Sequence, residues 1–590
     1  MNTAVASVGG LPRMPARPVP IAGWRQAALT QARARMIIGA MLFIALIAVL
    51  ALRLVDLAVL HEAPAGARDP AALMAPDRGD IVDRNGIELA RSFEAFAISV
   101  EPPKLLTDRR ELARKMAAIL PDRGEAAIYA DLTANKKFRY VARRVLPWQA
   151  KAINDLGDPG IVLRREPQRL YPGLDLGAHT IGYTTSGTAR AYGRSGMEKM
   201  LDARLSDPAT RGVPVALAMD SRVQQALESE LYTGMTKHRA AGAAGIVLDV
   251  HTGEVVAMAS LPTFNPNAPG KLEPGQVADS SRPDARYNRA TMAVYELGST
   301  FKALTIAMAL DSGVIKSMQQ TFDARAPIMI GGHTIHDDRG HELRKFATTP
   351  EIFIHSSNIG TARMASALGG ERQRAYLDRL GFFKPVAIEL PEKGRPIYPA
   401  VNNWGEAAVM TVGFGHGVSV SPLHLATAYA ALANGGILYP ATMLKVEPGQ
   451  AVPGTRVFSA ATSDKLRALF RLVVTNGTGR KANTPGYRVG GKTGTAEKVV
   501  NGRYAHSQLV STFAGAFPMD APRYVVLAML DEPHGTADTG GFATAGMVSA
   551  PIVEKLVARI GPLLGVMPDE NKDVDVGGLL GLIADKQADE

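Results

Sequence analysis

Residues 243–260 read AAGIVLDVHTGEVVAMAS, and this stretch decides the fold of the larger part of the chain. Two apolar runs flank a turn at Thr252-Gly253, which predicts a β-hairpin. A second hairpin is predicted far along the chain, where LVSTFAGAF (509–517) and YVVLAMLDE (524–532) enclose the turn PMDAPR. Apolar runs bounded by turn residues at both ends of this region indicate a sheet built from distant segments.

Helical patterns fill the sequence between the two hairpins. Runs rich in Ala, Leu and Met occupy residues 299–312 and 422–434, and residues 548–560 are typical of a final helix. Strands at both ends with helices between them favour an α+β fold over repeated βαβ units. In such a fold an antiparallel sheet packs against helices.

The composition is that of an ordinary globular protein. Of 590 residues, 46% are hydrophobic and 21% are charged, which excludes a disordered, collagenous or many-span membrane chain. The formal net charge is +10, from 66 Lys and Arg against 56 Asp and Glu. Cysteine is absent, which excludes a disulfide framework, a thiolate metal site and a cysteine nucleophile.

One apolar run near the start predicts a membrane span. Residues 36–52 read MIIGAMLFIALIAVLAL without a charge, and apolar residues extend the run to about residue 60. A helix of this core length is about 26 Å long, close to the hydrocarbon thickness of about 30 Å. We therefore predict a single transmembrane helix over 36–60. A cleaved signal peptide is the alternative, but its apolar region would be shorter and would follow a short basic start.

The charge before this run sets the expected orientation. Residues 1–35 carry five arginines and no acid, so the positive-inside bias predicts a cytoplasmic basic tail, with the rest of the chain on the outer side of the membrane. The remaining +5 is spread over some 555 residues without a basic stripe, which argues against nucleic-acid binding.

The region after the anchor, from about residue 76 to residue 222, mixes short strand-like runs with turns. Asn85-Gly86 between apolar flanks is a strong hairpin signal, and residues 109–120 form a helical stretch. We interpret the region as a mainly-β domain that precedes the larger α+β domain.

Ser299-Thr300-Phe301-Lys302 is the first candidate for chemistry. On a helix the serine and the lysine, three residues apart, share one face. A serine is a weak nucleophile without an adjacent base, and a lysine serves as that base when burial and neighbouring cations favour its neutral form. The pattern alone is common by chance, and an exposed Ser/Lys pair is the ordinary alternative.

Two further patterns follow in the chain. Ser356-Ser357-Asn358 ends the run TPEIFIHSSN, where Thr349 is the predicted N-cap of a short helix. Lys492-Thr493-Gly494-Thr495 ends YRVGGKTGT, which is typical of a strand whose glycines allow another backbone or a ligand to approach closely. An ammonium and two hydroxyls suit a substrate carboxylate. Each pattern alone is weak evidence.

Together the three patterns are specific, because S-x-x-K, S-x-N and K-T-G occur in this order in penicillin-binding proteins and class A β-lactamases. The sequence from about residue 76 to residue 551 resembles the class B high-molecular-weight penicillin-binding proteins. The stretches that carry the resemblance are RGDIVDRNG (78–86), RLYPGLDLGAHTIGY (169–183), GRSGMEKML (193–201), MDSRVQ (219–224), TGEVVAMASLPTFNPN (252–267) and GFGHGVSVSPLHLATAYAALANGG (413–436). One departure is TGGFATAGMVSAP (539–551), where the family's usual pattern differs, so the cleft edge is expected to differ there.

The resemblance implies a fold and a set of domains. The fold is a serine β-lactamase-like transpeptidase domain, an antiparallel sheet flanked by helices, carried by an elongated, mainly-β pedestal. The implied domains are a basic tail (1–35), a transmembrane helix (36–60), a pedestal or dimerisation domain (61–235), a transpeptidase domain (236–565) and a flexible acidic tail (566–590).

The resemblance also implies a mechanism. Ser299 would attack the carbonyl of the penultimate D-alanine of a peptidoglycan stem peptide, Lys302 would take its proton, and an amine from a neighbouring stem would resolve the acyl-enzyme. Ser356 and Lys492 would relay protons to the leaving group. The implied substrate-binding residues are Asn358 for the peptide amide and Thr493, Gly494 and Thr495 for the terminal carboxylate. Backbone N–H groups of Ser299 and Thr495 would form the oxyanion hole, and no metal or cofactor is needed.

The implied ligands and partners follow from the family. β-Lactam antibiotics would acylate Ser299 as substrate mimics. YELGSTFK (295–302) is more similar to the septal, FtsI-type division branch than to the elongation branch. That branch works with a polytopic septal glycosyltransferase (FtsW-like) and other divisome proteins.

Several alternatives remain open from the residues. Residues 486–493 match the phosphate-loop pattern G-x-x-x-x-G-K-[ST], but the flanking sequence does not predict a following helix. The group His333, His336, Asp337, Asp338 and His341 imitates a metal site, although a solvated loop is the better interpretation. His416 is either a cleft or a turn residue. A β-lactamase, a D,D-carboxypeptidase, an elongation-type transpeptidase and a non-catalytic divisome scaffold are the competing functions.

Overall fold

The structure is a computed structural model that describes residues 21–55, 78–166, 168–185, 191–270, 284–337, 343–500 and 503–583. The chain divides into two compact units, Met1–Met74 and Ala75–Glu590.

The first unit contains the long helix α1 (Ile21–Val55). Its segment Gln31–Arg53 has a mean hydropathy of 2.6 and is the one helix in the described ranges that is long and apolar enough to cross a membrane. Large apolar side chains such as Leu42 and Phe43 are more than 60% exposed. A helix that is apolar on all sides and exposed fits a single-pass membrane anchor. The predicted span 36–60 agrees up to Val55, and residues 56–60 lie outside the described residues.

The second unit begins with two small sheets. The strands are β1 (Ile81–Val82), β2 (Glu88–Phe93), β3 (Phe96–Val100), β4 (Arg139–Val145), β5 (Ile161–Arg165), β6 (Gln168–Leu170) and β7 (Val215–Ala216). Their orders are β6-β2-β1-β7 and β4-β3-β5. β1 and β2 form the predicted hairpin, with Gly86 at φ +86° in its turn. The predicted mixture of short strands and turns is confirmed.

Short helices accompany these sheets. They are α2 (Arg109–Ile119), α3 (Glu125–Leu132), α4 (Pro147–Asn154), α5 (Ala178–Ile181), α6 (Gly196–Met200) and α7 (Asp202–Ser206). α2 matches the helix predicted over 109–120 and packs Leu112 and Met116 against Ile98 of β3 in one apolar cluster. A buried ionic group links α6 to β6 and to Arg78 just before β1. The carboxylate of Glu198 on α6 accepts from the guanidinium groups of Arg78 at 2.7 Å and of Arg169, on β6, at 2.6 Å.

A five-stranded antiparallel sheet forms the centre of the larger domain. Its strands are β8 (Gly242–Asp249), β9 (Val255–Leu261), β18 (Gly490–Val500), β19 (Arg503–Phe517) and β20 (Tyr524–Asp531), in the order β18-β19-β20-β8-β9. Both predicted hairpins are present, and β20 pairs with β8. The predicted α+β class with an antiparallel sheet is confirmed.

Helices cover both faces of this sheet. They are α8 (Ser221–Lys237), α9 (Lys302–Asp311), α10 (Thr349–Ile354), α11 (Asn358–Leu368), α12 (Gly370–Arg379), α13 (Glu406–Gly413), α14 (Pro422–Ala433), α15 (Ala460–Asn476), α16 (Ala545–Val548), α17 (Ala550–Leu563) and α18 (Gly577–Leu580). Alternate residues of β8 explain the layers. Ala244 and Ile246 join the core cluster that contains α9 and α14, whereas Ala243 and Val247 join the cluster that contains α8 and α17. Because side chains alternate along a strand, β8 is buried on both faces.

Short two-stranded ribbons complete the domain. They pair β10 (Tyr295–Glu296) with β15 (Ser419–Val420), β11 (Thr321–Asp323) with β14 (Phe346–Thr348), β12 (Ile328–Ile330) with β13 (His333–Ile335), and β16 (Ile437–Leu438) with β17 (Thr455–Arg456). The ribbon β10–β15 leads directly into the turn that carries Ser299.

The end of the chain differs from the prediction. Residues 566–583, which the sequence indicates as a mobile acidic tail, pack against the larger domain. Val574, Val576, Leu579 and Ile583 contact its main core, and Asp573 pairs with Arg471 at 2.7 Å. The sequence pattern is misleading because acids and glycines alternate with these apolar residues. Residues 584–590 lie outside the described residues.

Candidate active site

Ser299 lies in a single 3₁₀ turn, Gly298–Phe301, that runs directly into α9. The carbonyl of Ser299 accepts from the backbone N–H of Lys302, so the two residues close one i,i+3 turn. In a 3₁₀ turn the side chains of residues three apart are nearly eclipsed. Ser299 is half-buried, whereas Lys302 is completely buried. The turn therefore presents a partly accessible hydroxyl beside a lysine shielded from bulk water.

The ammonium of Lys302 reaches the second motif. Its Nζ donates to Oδ1 of Asn358 at 2.7 Å and contacts Oγ of Ser356 at 3.1 Å. It also donates to the carbonyl of Ser356. These contacts link residues more than 50 positions apart in the sequence and fix the end of a flexible side chain.

Ser356 is held between two lysines. The Nζ of Lys492 donates to Oγ of Ser356 at 2.9 Å, on the same hydroxyl that Lys302 contacts. Ser356 has φ +61°, which is uncommon for a residue with a side chain and costs energy. The arrangement is thus suited to passing a proton from one amine to the other through one hydroxyl.

The third motif lies on β18, directly against the 3₁₀ turn. A Cβ on Gly494 would lie 2.6 Å from the carbonyl oxygen of Leu297, and a Cβ on Gly298 would lie 2.7 Å from the carbonyl oxygen of Thr495. Side chains at either position would separate the strand from the turn. The two glycines allow the backbone of Thr495 to approach the residues around Ser299, as the sequence pattern predicts.

The two threonines of this strand are also oriented by neighbours. Oγ1 of Thr493 shares a hydrogen bond of 2.7 Å with Oγ1 of Thr478, and Oγ1 of Thr495 accepts from the backbone N–H of Ala545 at 3.0 Å. Ala545 follows the 539–544 loop, in the stretch where the sequence departs from the family pattern. Phe542 on this loop is 64% exposed.

Asp337 is a residue that the sequence argument underestimated. Its Oδ1 accepts from the backbone N–H groups of Asn358 at 2.6 Å and Ile359 at 3.0 Å, and its Oδ2 accepts from Oγ of Ser357 at 2.7 Å. The carboxylate therefore caps α11 at the helix end that carries the S-x-N asparagine. The preceding carbonyl, of His336, accepts from Nδ2 of Asn358 at 3.0 Å. No local pattern marks this role, because the cap lies 21 residues before the helix.

The cap of α10 lies one residue earlier than predicted. Thr348, not Thr349, is the N-cap, and it forms a capping box with Glu351. Residues 348–351 contain the capping-box pattern T-x-x-E, but the adjacent Thr349 is also a residue type that caps helices. Asn358 also differs from expectation, because it starts α11 instead of ending the previous helix.

The alternative motifs have structural explanations. Residues 490–500 continue as a strand, so no helix follows the phosphate-loop pattern. Within the described ranges no group of His, Asp and Glu could hold a metal. Asp338 and His341 lie outside the described residues. His416 packs edge-on against Phe414 and Tyr504, with ring centroids 5.2 and 5.7 Å apart.

Comparison with known sequences agrees with this geometry. Residues 243–558 match the family described as penicillin binding protein transpeptidase domain, and residues 73–210 match the penicillin-binding protein dimerisation domain. The chain belongs to the class B penicillin-binding proteins.

Relatives of this penicillin-binding protein cover most of its length. A Caulobacter vibrioides protein named "Probable peptidoglycan D,D-transpeptidase FtsI" is 41% identical over 83% of this chain and 82% of its own length. The peptidoglycan D,D-transpeptidase FtsI of Escherichia coli strain K12 is 31% identical over 83% of this chain and 84% of its own. The crystal structure of penicillin binding protein 3 from Mycobacterium tuberculosis, complexed with aztreonam, superimposes with a TM-score of 0.64 at 26% identity. The superposition covers 84% of this chain and 98% of the Mycobacterium tuberculosis chain.

Proposed function

We propose that the chain is a peptidoglycan D,D-transpeptidase that cross-links stem peptides through an acyl-enzyme on Ser299. The observation that carries the proposal is the single hydroxyl of Ser356 between Lys302 and Lys492, beside the turn of Ser299. The FtsI relatives support the assignment, since two of them carry this activity in their names.

The proposed acylation begins with proton transfer from Ser299 Oγ to the amine of Lys302. The serine oxygen attacks the carbonyl of the penultimate D-alanine, and backbone N–H groups of Ser299 and Thr495 stabilise the oxyanion. The proton then passes by way of Ser356 and Lys492 to the leaving D-alanine nitrogen. Attack by an amine of a second stem peptide reverses these transfers and releases the cross-link.

The remaining motif residues are proposed to hold the substrate. Asn358 lies on the lysine side of the cleft, where its amide is suited to a peptide group. Thr493 and Thr495, with Gly494 between them, are suited to the terminal carboxylate because hydroxyls and a nearby ammonium recognise it. β-Lactams would acylate Ser299 in the same pocket.

The cellular setting is proposed from the anchor and the relatives. The five arginines of residues 1–35, before the uncharged apolar run, favour a cytoplasmic N-terminus and a periplasmic catalytic domain. The FtsI relatives favour a septal role, with an FtsW-like glycosyltransferase and other divisome proteins as partners. Location of a fluorescent fusion at the septum would support this, and uniform side-wall location would favour an elongation role.

The decisive experiment uses the full chain in detergent and a fluorescent penicillin. Wild type should be labelled covalently, and Ser299→Ala should not. Ser312→Ala is the matched control, since Ser312 lies just after the same helix and its hydroxyl donates to the backbone carbonyl of Ala309. Equal labelling of wild type and Ser299→Ala would contradict the assignment of the nucleophile. Cross-linking of stem peptides, as opposed to trimming of D-alanine, separates a transpeptidase from a carboxypeptidase.

A further inference from the structure

The C-terminal segment 566–583 contacts residues that lie next to two of the three motifs. It leaves α17, passes the loop before β18, and ends beside the N-cap of α10. Each connection is made by a specific polar contact.

The first connection is an ion pair between Asp573 and Arg471. Nε of Arg471 lies 2.7 and 2.9 Å from the two carboxylate oxygens, and its Nη2 lies 2.7 Å from one of them. The side chain of Arg471 is 9% exposed, whereas that of Asp573 is 42% exposed. A bidentate pair with a desolvated guanidinium is the kind of ion pair that fixes geometry.

Arg471 also contacts the residue that precedes the strand of the third motif. Its Nη1 donates to the carbonyl of Val489 at 3.0 Å and to Oδ1 of Asn483 at 2.9 Å. Val489 directly precedes β18 and is three residues before Lys492. The carboxylate of Asp573 therefore orients the group that holds the start of the K-T-G strand.

The second connection reaches the second motif. Oγ1 of Thr348, the N-cap of α10, lies 2.9 Å from the carbonyl of Leu582, to which it donates. α10 ends at Ile354, two residues before Ser356. Val574, Val576 and Leu579, between the two connections, and Ile583, just after the second, pack against the core, so the segment follows a fixed course.

Aromatic residues close to the two connections lie near Lys492. Phe353 of α10 packs against Phe470, the neighbour of Arg471, with ring centroids 6.0 Å apart. The ammonium of Lys492 lies 6.0 Å from the centroid of the Phe353 ring. The segment thus contacts both α10 and α15, whose rings of Phe353 and Phe470 pack together, and Lys492 lies over the first of these rings.

We propose that residues 566–583 are a positioning segment of the transpeptidase site, in which Asp573 and Leu582 hold Lys492 and Ser356 at their working separation. The inference rests on the proposed roles of Ser356 and Lys492 and adds Asp573 as a positioning residue. The segment acts through Arg471 and Thr348 on the separation of Lys492 and Ser356, so we expect its main effect on the acylation step.

The test separates binding from acylation with a fluorescent penicillin. In the full chain, Asp573→Asn keeps the shape and removes the charge. We expect the acylation rate constant to fall by about tenfold, since displacing a catalytic group by an ångström costs up to about 10², while the dissociation constant of the initial complex stays near that of wild type. Asp573→Glu, which keeps a carboxylate, should recover part of the rate. Glu570→Gln, an exposed acid of the same segment, is the matched control.

Two truncations test the second connection. A chain ending at Asp573 keeps the ion pair and loses the contact with Thr348, and it should acylate more slowly. A chain ending at Ile583 loses only residues 584–590 and should acylate like wild type. Thermal unfolding of every variant shows whether it is folded at the assay temperature.

The outcomes distinguish this inference from the proposed function. Labelling of Ser299→Ala would contradict the function itself. The proposed function stands if Ser299→Ala is not labelled. The positioning role is overturned if, at the same time, Asp573→Asn and the chain ending at Asp573 acylate at the rate of wild type. A rate that falls only in proportion to the unfolded fraction would also overturn it, because a merely structural segment gives that result.

Discussion

Replacing Asp337 by alanine should weaken both the fold around α11 and the acylation step. The change removes the carboxylate that caps Asn358 and Ile359 and accepts from Ser357. Asp337 is half-buried and Ser357 is fully buried, so water cannot replace all of these contacts equally well.

The magnitude follows from three contributions. Loss of a helix cap costs about 1 kcal/mol, and loss of a negative charge at a helix N-terminus costs about 0.3–1 kcal/mol. A buried hydroxyl left without its acceptor costs about 1–3 kcal/mol. Because the carboxylate is partly exposed, we expect about 2–4 kcal/mol of lost unfolding free energy. Asn358 anchors Lys302 at 2.7 Å, so acylation should also slow.

The assay combines urea unfolding with the rate of acylation by a fluorescent penicillin. Asp337→Asn keeps one acceptor oxygen for the helix and should lose less than alanine in both measurements. Asp323→Ala is the matched control, because Asp323 also accepts two backbone N–H groups in a nearby turn but does not contact the S-x-N motif. The reasoning is refuted if Asp337→Ala and Asp323→Ala acylate at the same rate as wild type.

Three further predictions concern other parts of the larger unit. Burial raises the pKa of Glu228 to about 7, so the folded state keeps a proton that the unfolded carboxyl releases at its ordinary, lower pKa. The free energy of unfolding should therefore fall between about pH 5 and about pH 7. Glu228→Gln should flatten this part of the pH dependence, measured by urea unfolding. A pH dependence parallel to that of wild type would contradict the raised pKa. Glu198→Gln removes the charge shared by two buried guanidinium groups and should cost about 3–5 kcal/mol by thermal unfolding, whereas an unchanged midpoint would mean that the group is not desolvated. Gly494→Ala places a Cβ 2.6 Å from the carbonyl of Leu297 and should reduce penicillin acylation about tenfold or more; Gly581→Ala, where the added Cβ meets open space, should be labelled like wild type.

Much of the fold could be predicted because its signals are local. The hairpins around Thr252-Gly253 and Asn85-Gly86 depend on turn residues and apolar flanks that lie next to each other in the sequence. The pairing of β20 with β8 could not be derived from those patterns, since it joins segments almost 280 residues apart and depends on the helices that pack on both faces.

The candidate site shows the same division. Ser299 and Lys302 share one turn, so their spacing alone predicts their proximity. The contacts of Lys302 with Ser356 and Asn358, and of Lys492 with Ser356, required a resemblance to known motifs, because no local pattern specifies a contact across more than 50 residues. Asp337 and the C-terminal segment were misjudged for the opposite reason. Their local composition is typical of solvated loops, and only tertiary contacts reveal their partners.

These contacts suggest why the chemistry depends on residues outside the motifs. The proposed proton relay through Ser356 requires that two flexible lysine side chains both reach one hydroxyl, as they do at 3.1 and 2.9 Å. Each lysine has several rotatable bonds, and ordering them costs entropy that local structure does not repay. The supporting contacts are therefore made by charged or capping groups on other segments: Asp337 for the asparagine that holds Lys302, and Asp573 for the strand that carries Lys492. Substitutions at these supports should alter the rate of acylation by β-lactams without changing any residue of the three motifs.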